Sequence, residues 1–147
     1  MEAILFSGIQ AAGKSSFFKA HFADTHVRIN LDMLRTRHRE QLLLAACLQA
    51  RQPFVVDNTN LSAEDRARYI GPARAAGFRV VAYRFFVPLE AAIARNVARQ
   101  VRRPVPEKAL RAAARRWQVP QWDEGFDALY DVCADGGDAR VVAVERR

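Results

Sequence analysis

Cysteine is scarce here. Cys47 and Cys133 are the only two among 147 residues, and they stand far apart. Nothing in them points to a disulfide framework, to secretion or to a thiolate metal site. Cys47 falls inside the apolar run Leu42–Leu48 and reads as a buried free thiol. Long apolar runs are missing too, since no stretch approaches the roughly 18 residues of a membrane span. The opening MEAILFSG is apolar too briefly for a signal peptide and lacks a basic leader. The expectation is a soluble, cytoplasmic chain with no membrane partner. Acidic residues are in deficit, with 16 Asp and Glu against 23 Lys and Arg, a formal net charge of +7. Such a surplus suits a nucleic acid or a multiply phosphorylated nucleotide, although codon bias toward arginine produces the same composition.

What is present fits one globular domain over residues 1–147. A chain of this size buries roughly 68–70% of its unfolded surface and needs no staples, and 50% hydrophobic with 27% charged residues is ordinary for that class. Five apolar runs alternate with helical patterns. Strands are predicted at Ala3–Phe6, Val27–Asn30, Pro53–Val56, Phe78–Val87 and Arg140–Val144. Helices are predicted at Gly13–Ala23, Leu31–Ala50, Ser62–Ala76, Pro88–Arg99 and Glu107–Trp117. Ser62 is placed to cap the third helix, with Asp65 three residues on and Gly77 as its C′ residue. Asp135–Asp138 reads as a turn. Alternation of this kind means βαβ units, hence a parallel sheet of about five strands flanked by helices.

Gly8–Ser15, GIQAAGKS, matches G-x-x-x-x-G-K-[ST] at every fixed position, directly after one predicted strand and opening a helix. This is the phosphate-binding loop of a P-loop NTPase fold. Its glycines allow a tight turn that brings backbone N–H groups against phosphate oxygens, and the helix start adds a positive dipole end. The nucleotide cradle is expected from Gly8, Gln10, Ala11, Ala12, Gly13, Lys14, Ser15 and Ser16. Lys14 supplies charge for the β- and γ-phosphates, and the Ser15 hydroxyl is a magnesium ligand. ATP and Mg²⁺ are the expected cofactors.

Ligands of open α/β sheets sit beyond the carboxyl ends of the strands, where two further polar clusters lie. Asp32 fits either a proton acceptor for a hydroxyl substrate or a cap for the helix beginning at Met33. Arg35, one helical turn on, suits an acceptor's phosphate or plain solvent. Asp57 closes an apolar strand, like the carboxylate of the second nucleotide motif, which binds magnesium; a turn role is the alternative. Thr59 and Asn60 either contact the acceptor or form the turn before Ser62. Arg95 and Arg99 share a helix face, and Arg102 and Arg103 follow before Pro104. Together they suit a basic lid over the nucleotide or a solvated basic face.

In order and spacing, Gly8–Ser15, Asn30–Leu34, Asp57–Asn60, Arg66–Tyr69 with Ala73–Gly77, and Trp117–Phe126 resemble the kinase domain of 5′-hydroxyl polynucleotide kinases. This is the kinase module of the polynucleotide kinase/phosphatase family, among the P-loop AAA-type kinases with an adenylate-kinase-like fold. The resemblance implies transfer of the γ-phosphoryl of ATP to a nucleic acid 5′-hydroxyl, in nucleic acid repair. It implies Asp32 as general base, Lys14 and Ser15 at the phosphates and magnesium, and Arg35 on the acceptor's phosphate. Arg99 is implied as the catalytic lid arginine on the donor, with Arg95 nearer the nucleotide. The stretch Arg99–Pro106 is shorter than the lid of the animal-type enzymes, and no phosphatase Asp-x-Asp-Gly-Thr motif occurs, so the kinase module alone is expected. The alternatives are a kinase of a small hydroxylated metabolite or antibiotic, and an ATP-binding switch with no acceptor.

Overall fold

The computed structural model describes residues 1–98, 105–134 and 139–146. Six strands form one sheet: β1 (Glu2–Ser7), β2 (Val27–Ile29), β3 (Phe54–Val56), β4 (Arg79–Phe86), β5 (Ala128–Ala134) and β6 (Ala139–Ala143). Their spatial order is β2-β3-β1-β4-β5-β6. All neighbours run parallel except β5 and β6, which are antiparallel. The helices are α1 (Lys14–His21), α2 (Leu31–Leu34), α3 (Arg37–Ala50), α4 (Ala63–Ala75), α5 (Leu89–Ala98) and α6 (Glu107–Arg116), with a 3₁₀ turn at Trp122–Glu124. No helix of the described residues is long and apolar enough to cross a membrane.

Alternation along the central strands divides the interior. Ala3 and Leu5 of β1, with Phe54, Val56, Val80 and Ala82, pack against Leu44 and Cys47 of α3 and Tyr69, Ile70 and Ala73 of α4. Ile4 and Phe6 face the other way with Val55 and Val81, onto Phe17 and Phe18 of α1. There the rings of Phe6 and Phe85 lie 4.9 Å apart, and Phe17 and Tyr83 close the cluster. With both faces covered, β1 becomes a continuous apolar run. It is hydrogen-bonded to β3 on one side and β4 on the other, so its carboxyl end lies at the switch in strand order where ligands bind. Cys47 is buried and free, and burial pushes its thiol pKa up.

Three elements differ from the sequence reading. The predicted helix over Leu31–Ala50 is two helices, because Arg35 takes φ +76° and Thr36 caps a new helix by accepting from the Arg39 N–H. A strand at Ala128–Ala134 joins the expected five. Its alternation is broken by Asp131, a charge that Arg84 of β4 neutralises through two contacts of 2.6 and 3.1 Å in the directly opposite register. The last strand, expected in a parallel set, is the antiparallel edge. By contrast, Ser62 accepts from the Asp65 N–H as a cap, and Gly77 takes φ +80° after α4, as the pattern predicted.

A buried guanidinium pins the chain near its end. Arg66 of α4 donates from Nε and Nη2 to the Glu124 carboxylate at 2.7 and 2.9 Å, and from Nη1 to the Asn60 carbonyl at 2.8 Å. Removing one partner of a buried pair strands the other charge, so Arg66→Ala is expected to cost about 3–5 kcal/mol of stability, read from the urea midpoint. A milder effect concerns His26. Burial lowers its pKa below the ordinary 6.5, against the opposing pull of Glu2. The unfolded chain therefore takes up a proton that the folded chain refuses, and stability falls as pH drops through 6.5. His26→Gln is expected to flatten that part of the stability–pH curve, measured by urea unfolding at stepped pH.

Candidate active site

Beyond Ser7 the chain turns at Gly8 against β4. A Cβ on Gly8 would stand 2.9 Å from both the Cβ and the carbonyl oxygen of Phe85, so only glycine lets the loop lie this close. The Gly8 N–H donates to the Thr59 carbonyl at 2.9 Å, tying the loop to the polar segment after β3. Ala11 adopts φ +61°, and Nη1 of Arg95, from α5, donates to its carbonyl at 3.1 Å. Gly13 then starts α1, which has no side-chain cap, as suits a helix end that receives an anion. Lys14 is buried, and its Nζ donates to the Gly8 and Ile9 carbonyls at 2.8 and 2.7 Å.

Two oxygens suited to a hard cation stand together. Ser15 Oγ lies 3.3 Å from Asp57 Oδ2, and Asp57 is only 2% exposed. A hydroxyl and one carboxylate, completed by phosphate oxygens and water, fit magnesium as these sites usually hold it. Among the described residues no group of three or more His, Cys, Asp and Glu offers a self-sufficient metal cage. Arg28 of β2 reaches the same two oxygens, Nε donating to Asp57 Oδ2 at 2.8 Å and Nη2 to Ser15 Oγ at 3.0 Å.

The end of β2 shows which residue caps the helix that follows. Asn30, not Asp32, is the helix cap: its side chain accepts from the Met33 N–H at 2.9 Å, while its Nδ2 donates to the Asp57 carbonyl at 2.6 Å. Asp32 is exposed and lines a cavity of about 430 Å³ that also takes in Lys14, Ser15, Asp57 and Thr59. Arg35 is exposed and is not part of that cavity's wall, whereas Arg37 is. Arg37 Nη1 donates to Glu40 Oε1 at 2.8 Å and to the Tyr69 hydroxyl at 3.1 Å, and Asn58 Nδ2 donates to Glu40 Oε2 at 3.0 Å. Tyr69 donates to Glu40 at 2.8 Å, and burial followed by that hydrogen bond raises its pKa.

Of the loop residues expected at the nucleotide, Gln10, Ala11, Gly13, Lys14 and Ser15 line the cavity. Gly8 and Ala12 are buried in the packing, and Ser16 is exposed outside the wall. Gln10 Oε1 is buried without a hydrogen-bond partner, an acceptor that a hydroxyl or amino group would satisfy. Asn60 borders the cavity, but its Nδ2 is committed to the Phe6 carbonyl at 2.7 Å and its own carbonyl to Ser7 and Arg66. The lid residues Arg99, Arg102 and Arg103 lie outside the described residues, as does the turn 135–138. The segment containing the lid residues is bracketed by Asn96, whose amide exchanges two hydrogen bonds with the Val105 backbone. Sequence reasoning passed over Arg28, Arg37, Asn58 and Asn96. The signal for Arg28 was a charge between the apolar Val27 and Ile29 of a strand, a position where a long cation usually has a partner.

The AAA domain family profile matches residues 4–120. The chain belongs to the AAA domain family. This AAA domain is 26% identical over 135 residues to a bifunctional polynucleotide phosphatase/kinase from Schizosaccharomyces pombe, a match covering 89% of the chain and 33% of that protein. The chain thus spans about a third of the relative's length. Among solved structures, Kti12 of Chaetomium thermophilum in complex with ADP-AlF3 is 16% identical with a TM-score of 0.69, covering 92% of this chain and 91% of that one. A gluconokinase from Sinorhizobium meliloti 1021 is 19% identical with a TM-score of 0.62, covering 90% and 82%. The fold is that of P-loop kinases. Because Phe85 leaves no space at Gly8, Gly8→Ala is expected to weaken Mg·ATP binding on the order of tenfold or more, measured by equilibrium titration with a fluorescent ATP analogue.

Proposed function

We propose that this AAA domain transfers the γ-phosphoryl group of ATP to the 5′-hydroxyl of a DNA or RNA end. The observation that carries this reading is Asp32: an exposed carboxylate in the wall of the P-loop cavity, free of the capping duty that Asn30 performs. The ordered motifs shared with polynucleotide kinases, the S. pombe relative and the net charge of +7 all support a nucleic acid acceptor.

In this reading the Asp32 carboxylate accepts the proton of the attacking 5′-hydroxyl as its oxygen bonds to the γ-phosphorus, and the bond to the ADP oxygen breaks. Lys14 exchanges its loop carbonyls for the β- and γ-phosphate oxygens. Ser15 and Asp57 would hold magnesium, which would supply positive charge against the transferred group. Arg95 keeps the loop in its phosphate-binding form through the Ala11 carbonyl. Arg99 acts on the donor phosphates, as the family resemblance implies. Arg35 and Arg37 share the basic stretch beside Asp32 that meets the acceptor's own phosphate, with Thr59 near the hydroxyl.

The test is transfer of labelled γ-phosphate from Mg·ATP to short 5′-hydroxyl DNA and RNA. Wild type should label the 5′ end, and Asp32→Ala should lower the rate on the order of 10²–10⁴-fold with nucleotide affinity unchanged. Undiminished labelling in the variant would remove Asp32 from its role. Absence of label in the wild type while ATP binds would transfer the reading to a small hydroxylated acceptor.

A further inference from the structure

We propose that Arg28 is a built-in cation that occupies the magnesium ligands when no metal is bound, and that it sets metal affinity by competing for them. The proposal rests on the reading of Ser15 and Asp57 as the metal pair. Arg28 Nε donates to Asp57 Oδ2 at 2.8 Å and Nη2 to Ser15 Oγ at 3.0 Å, while those two oxygens lie 3.3 Å from each other. One planar fork therefore spans both groups that a divalent ion needs.

The energetics require some such cation. Asp57 is 2% exposed, and a carboxylate buried without a partner carries a desolvation cost of several kcal/mol. Asn30 occupies only the Asp57 backbone carbonyl and leaves the charge unanswered. Arg28 answers that charge with a salt bridge of 2.8 Å from Nε to Asp57 Oδ2. Lysine in its place would present a single point charge, whereas the guanidinium donates along two directions at once.

The geometry also gives the arginine a way out. Its side chain is 29% exposed, against 2% for Asp57, and its guanidinium carbon lies 5.9 Å from the centre of the Phe18 ring, a face that a displaced guanidinium can keep. Arg28 sits at position two of a three-residue strand at the sheet edge, so the backbone is held by β3 while the long side chain turns. Asp57 Oδ2 already accepts from both the Ser15 hydroxyl and Arg28 Nε, so it has no further lone pair to offer a metal while the arginine stays. Loading the metal thus costs the free energy of releasing the arginine. The exchange keeps one cation in the pocket at every stage, so the ligands remain in register before nucleotide arrives.

The experiment is titration of Mn²⁺ into protein saturated with ADP, with free Mn²⁺ followed by its electron paramagnetic resonance, in wild type, Arg28→Gln, Arg28→Lys and Asp57→Asn. Competition lowers apparent affinity by the fraction of molecules whose ligands are released, so Arg28→Gln should bind Mn²⁺ about tenfold more tightly. Its metal-free melting temperature should fall below that of the wild type. Arg28→Lys, a point charge without the planar fork, should fall between the two in affinity and decides the matter if the glutamine variant does not fold. Equal or weaker Mn²⁺ binding in the Arg28 variants would overturn the proposal. Unchanged Mn²⁺ binding in Asp57→Asn would overturn it by another route, by showing that the metal does not use this pair, and would leave phosphoryl transfer from ATP to be judged on its own assay.

Discussion

The guanidinium of Arg66 is fully buried, and the segments that satisfy it are the ones that shape the cavity. Glu124 answers its charge from the 3₁₀ turn, while the Asn60 carbonyl takes a third donor beside the Ser7 hydroxyl. Ser7 in turn donates to Asn60 and accepts from the Trp117 indole N–H at 2.9 Å. One charge thereby fixes the end of β1, the loop after β3, the first turns of α4 and the exit of α6. Because the phosphate loop begins one residue after Ser7, its starting point is held by this web rather than by loop contacts alone.

A second polar web gathers around Glu40, beside the cavity wall that Asp32 lines. Glu40 is 1% exposed and collects Arg37, Tyr69 and Asn58, while Asn58 also accepts from the Leu31 N–H. The segment after β3 is thus bonded to the start of α2 and to α3 and α4. The short helix bearing Asp32 is seated from both ends, by Asn58 at its start and by the Thr36 cap just beyond it. Asp32 thus stands on a backbone held at both ends, with its own side chain exposed. The break at Arg35 sets the basic stretch in a different direction from the one a continuous helix over Leu31–Ala50 would give it.

The two webs meet at Asp57–Asn60. Asp57 faces Ser15 and Arg28, Asn58 faces Glu40, the Thr59 carbonyl receives the Gly8 N–H, and Asn60 faces Phe6. Four consecutive residues thus bond in four directions, Thr59 through its backbone carbonyl and the other three through side chains whose specificity each neighbour sets. Much of that specificity is architectural, and Asn60 in particular spends its amide on the strand it supports.

Composition, hydrophobic alternation and the glycine-lysine-serine loop were enough to determine an α/β P-loop domain, its phosphate cradle and the clusters at the strand ends. Those features depend on residues close in sequence, where spacing and chain direction fix geometry. Ser62 and Gly77 were legible for the same reason, because a cap acts within one helical turn. Partners far apart in sequence were not legible. The strand carrying Asp131 was hidden because its charge is matched by Arg84, 47 residues earlier. The cap at Asn30, which released Asp32, was decided by whether its amide could also reach the Asp57 carbonyl 27 residues on. Arg28 drew no notice in the sequence until the fold set it between Ser15 and Asp57. The sequence by itself determined the phosphate-loop motif and the fold that carries it; only the tertiary structure decided which charges neutralise one another, because a buried charge must be paired in space and the chain offers several candidates at every distance along its length.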